Sequence, residues 1–230
     1  PTASEKELRT LSSHIIQLAI PMDITIQKLA RYAQDSLRIK RFATMSPIDD
    51  YFVRMTGTFV EKQQQLGNEV VAQEWYYPGD GDIKPRFEAI KRIGFKLEFQ
   101  DSVLSEQPDL KQESLDSLYF VYLKAMKEYN KESNIDVDST DIQVSTIDGF
   151  FMPVFSEDIS FVASNFAWGY FKTQVLGNSD WYDLEALKKN QSYVNGMIFV
   201  SDGYLNNEGW DYRKFRNDFR TSFKRTPEKY

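Results

Sequence analysis

The sequence predicts an α/β protein built on a doubly wound, mainly parallel sheet flanked by helices. Three observations carry this expectation. Short β-rich runs alternate with amphipathic stretches of helical period, the order that parallel crossovers produce. Two of the runs, "GFFMPVF" (149–155) and "GMIFVS" (196–201), are almost entirely apolar, as strands covered on both faces are. Polar turns such as "SPIDD" and "PGDGD" separate strands from the helices after them. The right-handed crossover rule then arranges about five or six strands between two helical layers.

Taken in order, "HIIQLAI" (14–20) reads as a strand. Pro21 and Asp23 open a helix that gathers Ile26, Leu29, Ala30 and Ala33 on one side. "RFATM" (41–45) is a short strand, and the aspartates of "SPIDD" suit a helix N-cap. The helix from Tyr51 to about Gln65 ends near Gly67, a natural residue for the left-handed position after a helix. "EVVAQEWYY" (69–77) is the next strand, and residues 84–93 form a helix. The rhythm then breaks. Residues 94–145 read as a polar helical insertion, with one strong helix at 115–129 between acidic stretches. It resumes with strand 149–155, a helix from Glu157 to about Phe171, and strand 173–176. A short helix at 184–188, strand 196–201 and a helix from about Trp210 to Lys224 complete the chain. The expected organisation is one lobe, 1–230, carrying the insertion at about 94–145.

The 230 residues are enough to bury a sizeable core, and 41% apolar with 27% charged residues is ordinary globular composition. A net charge of −6 speaks against a nucleic-acid partner, whose footprint is a basic stripe. The basic cluster from Arg213 to Arg225 is interleaved with Phe215, Phe219 and Phe223. That spacing of four marks an amphipathic helix with a solvated basic side. The chain has no cysteine, so disulfides, thiolate nucleophiles and cysteine-based metal sites are excluded. The first residues lack an apolar signal core, so an exported protein would carry its signal elsewhere.

Chemical motifs are sparse. His14 is the one histidine, and no triad-like arrangement surrounds it. No glycine-rich phosphate loop follows a strand. "GDGD" (79–82) places acids at alternate positions, yet lacks the further ligands of a calcium loop and reads as a turn and helix cap. The pairs Asp49/Asp50 and Glu157/Asp158 open helices, where acids complement the helix dipole. A non-enzymatic protein is therefore expected, without catalytic residues, metal or cofactor. The parallel sheet would collect the loops after its strands on one edge: Ser46 to Tyr51, Asp80 and Asp82, Ser156 and Glu157, Asn178 to Tyr182, and Asp202 with Tyr204. Hydroxyl, amide, acid and aromatic groups together are the usual mix of a small polar ligand site.

The ordered series of motifs resembles the type I periplasmic solute-binding proteins. That family includes leucine/branched-chain amino-acid receptors and penicillin-binding-protein activators. The likeness is mostly to the second lobe. It runs through an Ala- and Tyr-containing helix (Leu29–Ala33), a basic-led strand (Arg41–Met45) and an acid–Tyr turn (Asp50–Phe52). A long helix closing in Leu-Gly (Val53–Gly67), a strand (Glu69–Tyr76) and a turn with Asp82 continue it. "IDGFFMPVFSEDISFVASNFAWGYFKTQVLGNSDWYD" adds an Asp-Gly before an apolar strand, a helix and a Gly-x-x-x-Trp turn. "YVNGMIFVSDGY" matches a Gly-led strand, and "FRNDFRTSFKRTPEKY" the helix that returns to the first lobe.

The resemblance implies a non-enzymatic lobe that captures or senses a small polar ligand such as an amino acid, with a periplasmic or cell-envelope location. It places ligand contacts near Tyr51, Asp82 and the loop after Phe155, and implies a first lobe supplied by upstream sequence; with the strand-end rule, the candidate ligand-binding residues are Tyr51, Ser46, Asp82 and Ser156. In the Gly-x-x-x-Trp turn, Trp181 is expected to pack the edge of the lobe rather than grip ligand. Phe52 departs from the family, which has Gly after the Tyr, and would crowd a ligand. That departure, the insertion and the missing lobe leave open an alternative: a cell-envelope protein-interaction module, activator-like, that has lost its small ligand.

Overall fold

A computed structural model describes residue 14 and residues 20–133, 142–201 and 209–227. The first helix, α1 (Met22–Asp35), buries Met22, Ile26, Leu29, Ala30 and Ala33, the stripe its helical period sets apart. Strand β1 (Arg41–Pro47) follows, and then α2 (Asp50–Gln65). The Asp49 carboxylate accepts the Tyr51 N–H at 2.9 Å and caps α2, and Gly67 leaves the helix at φ +77°, where a side chain is disfavoured. Next come β2 (Glu69–Tyr76), α3 (Lys84–Glu106) and α4 (Gln112–Ser133). Strand β3 (Gly149–Phe151) leads through a 3-10 turn at Ser156–Asp158 into α5 (Ile159–Gly169). Strand β4 (Gln174–Gly177) runs into a second 3-10 turn, Ser179–Trp181. Helices α6 (Leu184–Lys189) and α7 (Gln191–Val194), strand β5 (Ile198–Phe199) and helix α8 (Trp210–Phe223) close the described chain.

All four strand pairings are parallel, in the order β2-β1-β3-β4-β5. Alternation along the strands feeds two cores. Phe42, Phe151 and Leu176 point into a layer made by α1 and α2, where Phe59 stacks on Phe151 with ring centroids 4.3 Å apart. Ala43, Met45, Phe150, Met152 and Val175 point the other way, onto Phe87 and Ile90 of α3 and Val162, Ala163 and Phe166 of α5. The architecture is therefore the three-layer, doubly wound sandwich that the sequence predicts.

Sequence position 148–149 shows how tightly the sheet is assembled. The Asp148 carboxylate accepts the backbone N–H groups of Lys40 and Arg41, at 3.2 and 3.1 Å, and so fastens the start of β1 beside β3. A Cβ on Gly149 would stand 2.7 Å from the Phe42 ring, so the adjacent glycine is needed for close approach.

Several boundaries differ from the sequence reading. The helix expected at 84–93 continues to Glu106, because Phe95 packs on the core beyond Gly94 and Gln100 is still buried. The departure from the sheet rhythm thus begins after α3, and α4 is longer at both ends than the expected 115–129. Among the described residues, 94–145 adds no strand to the sheet, only the isolated bridge of Val144 to Phe171. Strands 149–155 and 196–201 pair over just three and two residues. Beyond Phe151 the Met152 N–H still donates to the Leu176 carbonyl at 2.8 Å, but Pro153 has no N–H to donate, and the Asn178 side chain takes over, bonding Val154 N–H and C=O at 3.0 Å each. Helix 157–171 divides into a 3-10 turn and α5, which ends at left-handed Tyr170. The strand expected at 14–20 and the loop residues Asp202 and Tyr204 lie outside the described residues, apart from the strand's two ends. Among the described residues no helix is long and apolar enough to cross a membrane.

Candidate functional site

The chain passes from β1 outward to β2 and then back to β3 on the other side of β1. The strand order reverses there, so the β1–β3 boundary is the topological switch point, and ligands of open parallel sheets bind outside the carboxyl ends of strands at such a point. Tyr51 and Ser156 sit in the segments that leave β1 and β3.

Tyr51 occupies the first turn of α2 and is 36% exposed, with its ring edge-on to Phe52 at 5.4 Å. It lines a cavity of about 50 Å³ with Met22, Thr25, Met55, Asn178 and Ser179. Ser156 is exposed at the head of the turn before α5. Asp82 is exposed too, one strand further out after β2, where its carboxylate accepts the Lys84 N–H at 2.9 Å and caps α3. Asp80 serves the same turn by accepting the Tyr77 N–H. Ser46 is fully buried, and its Oγ accepts the Thr56 hydroxyl at 3.0 Å under α2. Of the four residues the sequence singles out, the cavity contains Tyr51 alone, and Ser46 has no face on the surface.

Thr25, Asn178 and Ser179 take the places around Tyr51. Asn178 and Ser179 belong to a strand-end loop legible in the sequence. Thr25 carries no motif; it arrives because α1 runs antiparallel to the strands and begins at their carboxyl edge.

The aromatic pair after β4 resolves differently. Trp181 is fully buried, and its Nε1 donates to the Met152 carbonyl at 2.7 Å. Its ring lies against Gly177, where any Cβ would collide with it. Trp181 is a packing plug, as expected from its turn, and Tyr182 packs beside Phe199 with centroids 6.1 Å apart. Phe52 does not crowd the strand edge either: it is buried, edge-on to Phe155 at 4.4 Å.

Electrostatics at this edge are acidic. Burial, with Glu157 adding to it, pushes the Asp158 carboxyl above its ordinary value. Burial and the nearby Asp158 charge push up the phenol of Tyr76, whose buried hydroxyl has no hydrogen-bond partner. Asp49 caps its helix by a side-chain bond, whereas Asp158 makes none.

No protein-family model matches the chain, and no curated protein matches it. Solved structures do. The sheet order and helical layers are those of one lobe of the type I periplasmic-binding fold. A leucine-binding protein from Thermotoga maritima superposes with a TM-score of 0.57 at 13% identity, over 92% of this chain and 46% of that one. The branched-chain amino acid transporter substrate-binding protein from Streptococcus pneumoniae, in complex with isoleucine, gives 0.55 at 12% identity, over 98% and 50%. A periplasmic binding protein type 1 from Bordetella pertussis gives 0.56 at 11%, over 89% and 41%. The chain thus spans about half the length of the solved structures it matches.

Proposed function

We propose that this chain is a ligand-binding, non-enzymatic lobe of a periplasmic-type receptor, which captures or senses a small polar ligand such as an amino acid. The observation that carries the reading is Tyr51, partly exposed at the switch point of the sheet and beside the polar groups of Thr25 and Ser179, with the buried Asn178 holding the loop behind them. Solved structures of the same fold are named for leucine and branched-chain amino-acid binding, which supports an amino acid as the ligand class. The carboxylates along the edge support binding over catalysis, since Asp49, Asp80 and Asp82 are engaged as caps and turn acceptors. Location in the periplasm or cell envelope belongs to the same reading. In it, Ser156 and Asp82 flank the ligand, while Ser46 holds α2 in place from below.

A second reading has an observation of its own. The concavity at Tyr51 is about 50 Å³, well below the roughly 300 Å³ where small-molecule pockets begin. One lobe alone does not enclose an amino acid. If no second lobe closes over this edge, the surface suits a protein partner of the cell envelope, as in the activator-like alternative. The deciding experiment is a calorimetric and thermal-shift screen of the amino acids against the full-length protein. Binding of a branched-chain or other small polar amino acid is expected; a flat response across the panel overturns the receptor reading in favour of the docking one.

A further inference from the structure

Among the described residues, two apolar surfaces stand open, and they match each other. The first is a groove of about 640 Å³ between the distal half of α3 and α4. Phe95, Phe99, Tyr119, Tyr122 and Met126 form its walls, with Glu98 and Asn130 at its polar margin. An open apolar groove of this kind marks an interaction site. The second feature is α8, which buries none of its residues. Its Phe215, Phe219 and Phe223 rings follow one another at 5.8 and 4.6 Å centroid spacing.

We infer that α8 of one copy of this chain docks into the α3–α4 groove of a second copy, the two exchanging helices reciprocally. Charge complementarity is the first argument. Residues 210–225 carry six basic side chains against two acidic ones, whereas residues 94–133 carry eight acidic against five basic; Asp101 and Asp116 are paired within the chain, and Glu98 is the acid that lines the groove. Dimensions agree as well. The phenylalanine stripe spans about 12 Å of helix, and the groove runs about 10 Å along α3 and about 16 Å along α4. Laying an aromatic stripe into an apolar groove is a standard mode of helix recognition. Each side also keeps a buried polar atom without a partner, the acceptor Asn130 Oδ1 in the groove and the donor Arg216 Nε on α8.

Topology favours a second copy over the same chain. The groove lies at the amino edge of the sheet, because Asp101 of α3 pairs there with Arg41, the first residue of β1. Strand β5 leaves the sheet at the opposite, carboxyl edge and on the far side from β2, against which α3 packs. In this chain α8 does not occupy its own groove, and its Phe215 and Phe223 are 52% and 62% exposed. Reciprocal exchange between two copies covers both surfaces at once and closes as a two-fold dimer.

The test is sedimentation velocity of the full chain from about 1 to 200 μM, at salt from about 50 to 500 mM. A dimer that grows with concentration and weakens with salt is expected. Phe219→Glu and Met126→Glu should each abolish the wild-type dimer, yet an equimolar mixture of the two should associate, because each retains the half the other lacks. Exposed Glu98→Lys should weaken association at least several-fold with an unchanged melting temperature, which keeps the test independent of folding. A wild type that stays monomeric throughout, association indifferent to both variants, or a mixture that stays monomeric overturns the proposal. Its outcome is separate from any ligand binding at Tyr51.

Discussion

Trp181 donates its indole N–H to the main-chain carbonyl of Met152 at 2.7 Å and thereby ties the loop after β4 to the segment leaving β3. Both residues are fully buried, so neither group has water to fall back on. Trp181→Phe removes the donor, orphans the carbonyl and leaves a void the size of the lost ring. The expected destabilisation is about 2–4 kcal/mol, read as a lowered denaturation midpoint in urea. Ligand affinity of the folded protein should be unaffected, since the ring does not reach the surface.

Asn178 has a larger share in the same edge. Its amide closes both the N–H and the C=O of Val154, substituting for a strand neighbour where Pro153 interrupts the ladder. Asn178→Ala strands two buried backbone groups and should cost about 2–4 kcal/mol. Asn178→Asp keeps the acceptor but turns a carboxylate toward the Val154 carbonyl, and should be no better than Ala at neutral pH. Recovery of wild-type stability by Asp would show that the donor bond is dispensable.

Tyr51 is the residue on which the receptor reading stands. Tyr51→Ala should weaken ligand binding by about 1–3 kcal/mol, tenfold or more, measured by calorimetry on the full-length protein. Its melting temperature should change little, because the ring is partly exposed. Ser156→Ala should give a smaller loss of affinity. A steep fall in melting temperature with Tyr51→Ala would place the ring in the core and remove it from the site.

The Arg41–Asp101 pair, with Nη2 to Oδ1 at 2.8 Å, sets an acid limb to stability. The hydrogen bond from Arg41 holds the Asp101 carboxyl below its ordinary value of 3.8, against a smaller opposing effect of burial. The contribution is therefore complete above that value and is lost as pH falls through the lower folded-state value. Both side chains are partly solvated, so about 0.5–1 kcal/mol is expected. Asp101→Asn should melt about 2 °C lower than wild type at neutral pH, and the two curves should converge in strong acid.

The parts of this molecule that were legible in sequence are those where a side chain's own period decides. Alternation and helical stripes gave α1, β1, α2 and β2 nearly to the residue. Ladder length escaped because it depends on neighbours: residues 152–155 are as apolar as a strand, but the adjoining β4 ends at Gly177 and Asn178 completes the pairing. Residues 94–106 read as the acid-rich start of an insertion rather than as the end of α3, because a solvated helix face is polar and the Phe95 and Phe99 stripe spans too few turns to announce itself. Ser46 is instructive in another way. Phe42, Thr44 and Ser46 share one strand face by period two, which already aims Ser46 at the α2 layer. The strand-end rule locates an edge, and only the alternation within the strand tells which residues at that edge can be reached.

The sheet's pairing is uneven: seven residue pairs join β1 to β2, three join β3 to each neighbour, and two join β4 to β5. Local opening free energies follow such differences. Amide protons of β1 and β2 should exchange with deuterium only through global unfolding, whereas those of β5 should exchange through a fray that spares the rest. The body thus has a hard flank and a yielding one, and the yielding flank is where the chain departs from the sheet. A pull or a twist delivered through the segment after β5 would unzip two pairs first, and because Val200 also lines the cavity beside Tyr51, that edge would feel it before the β1–β2 flank did.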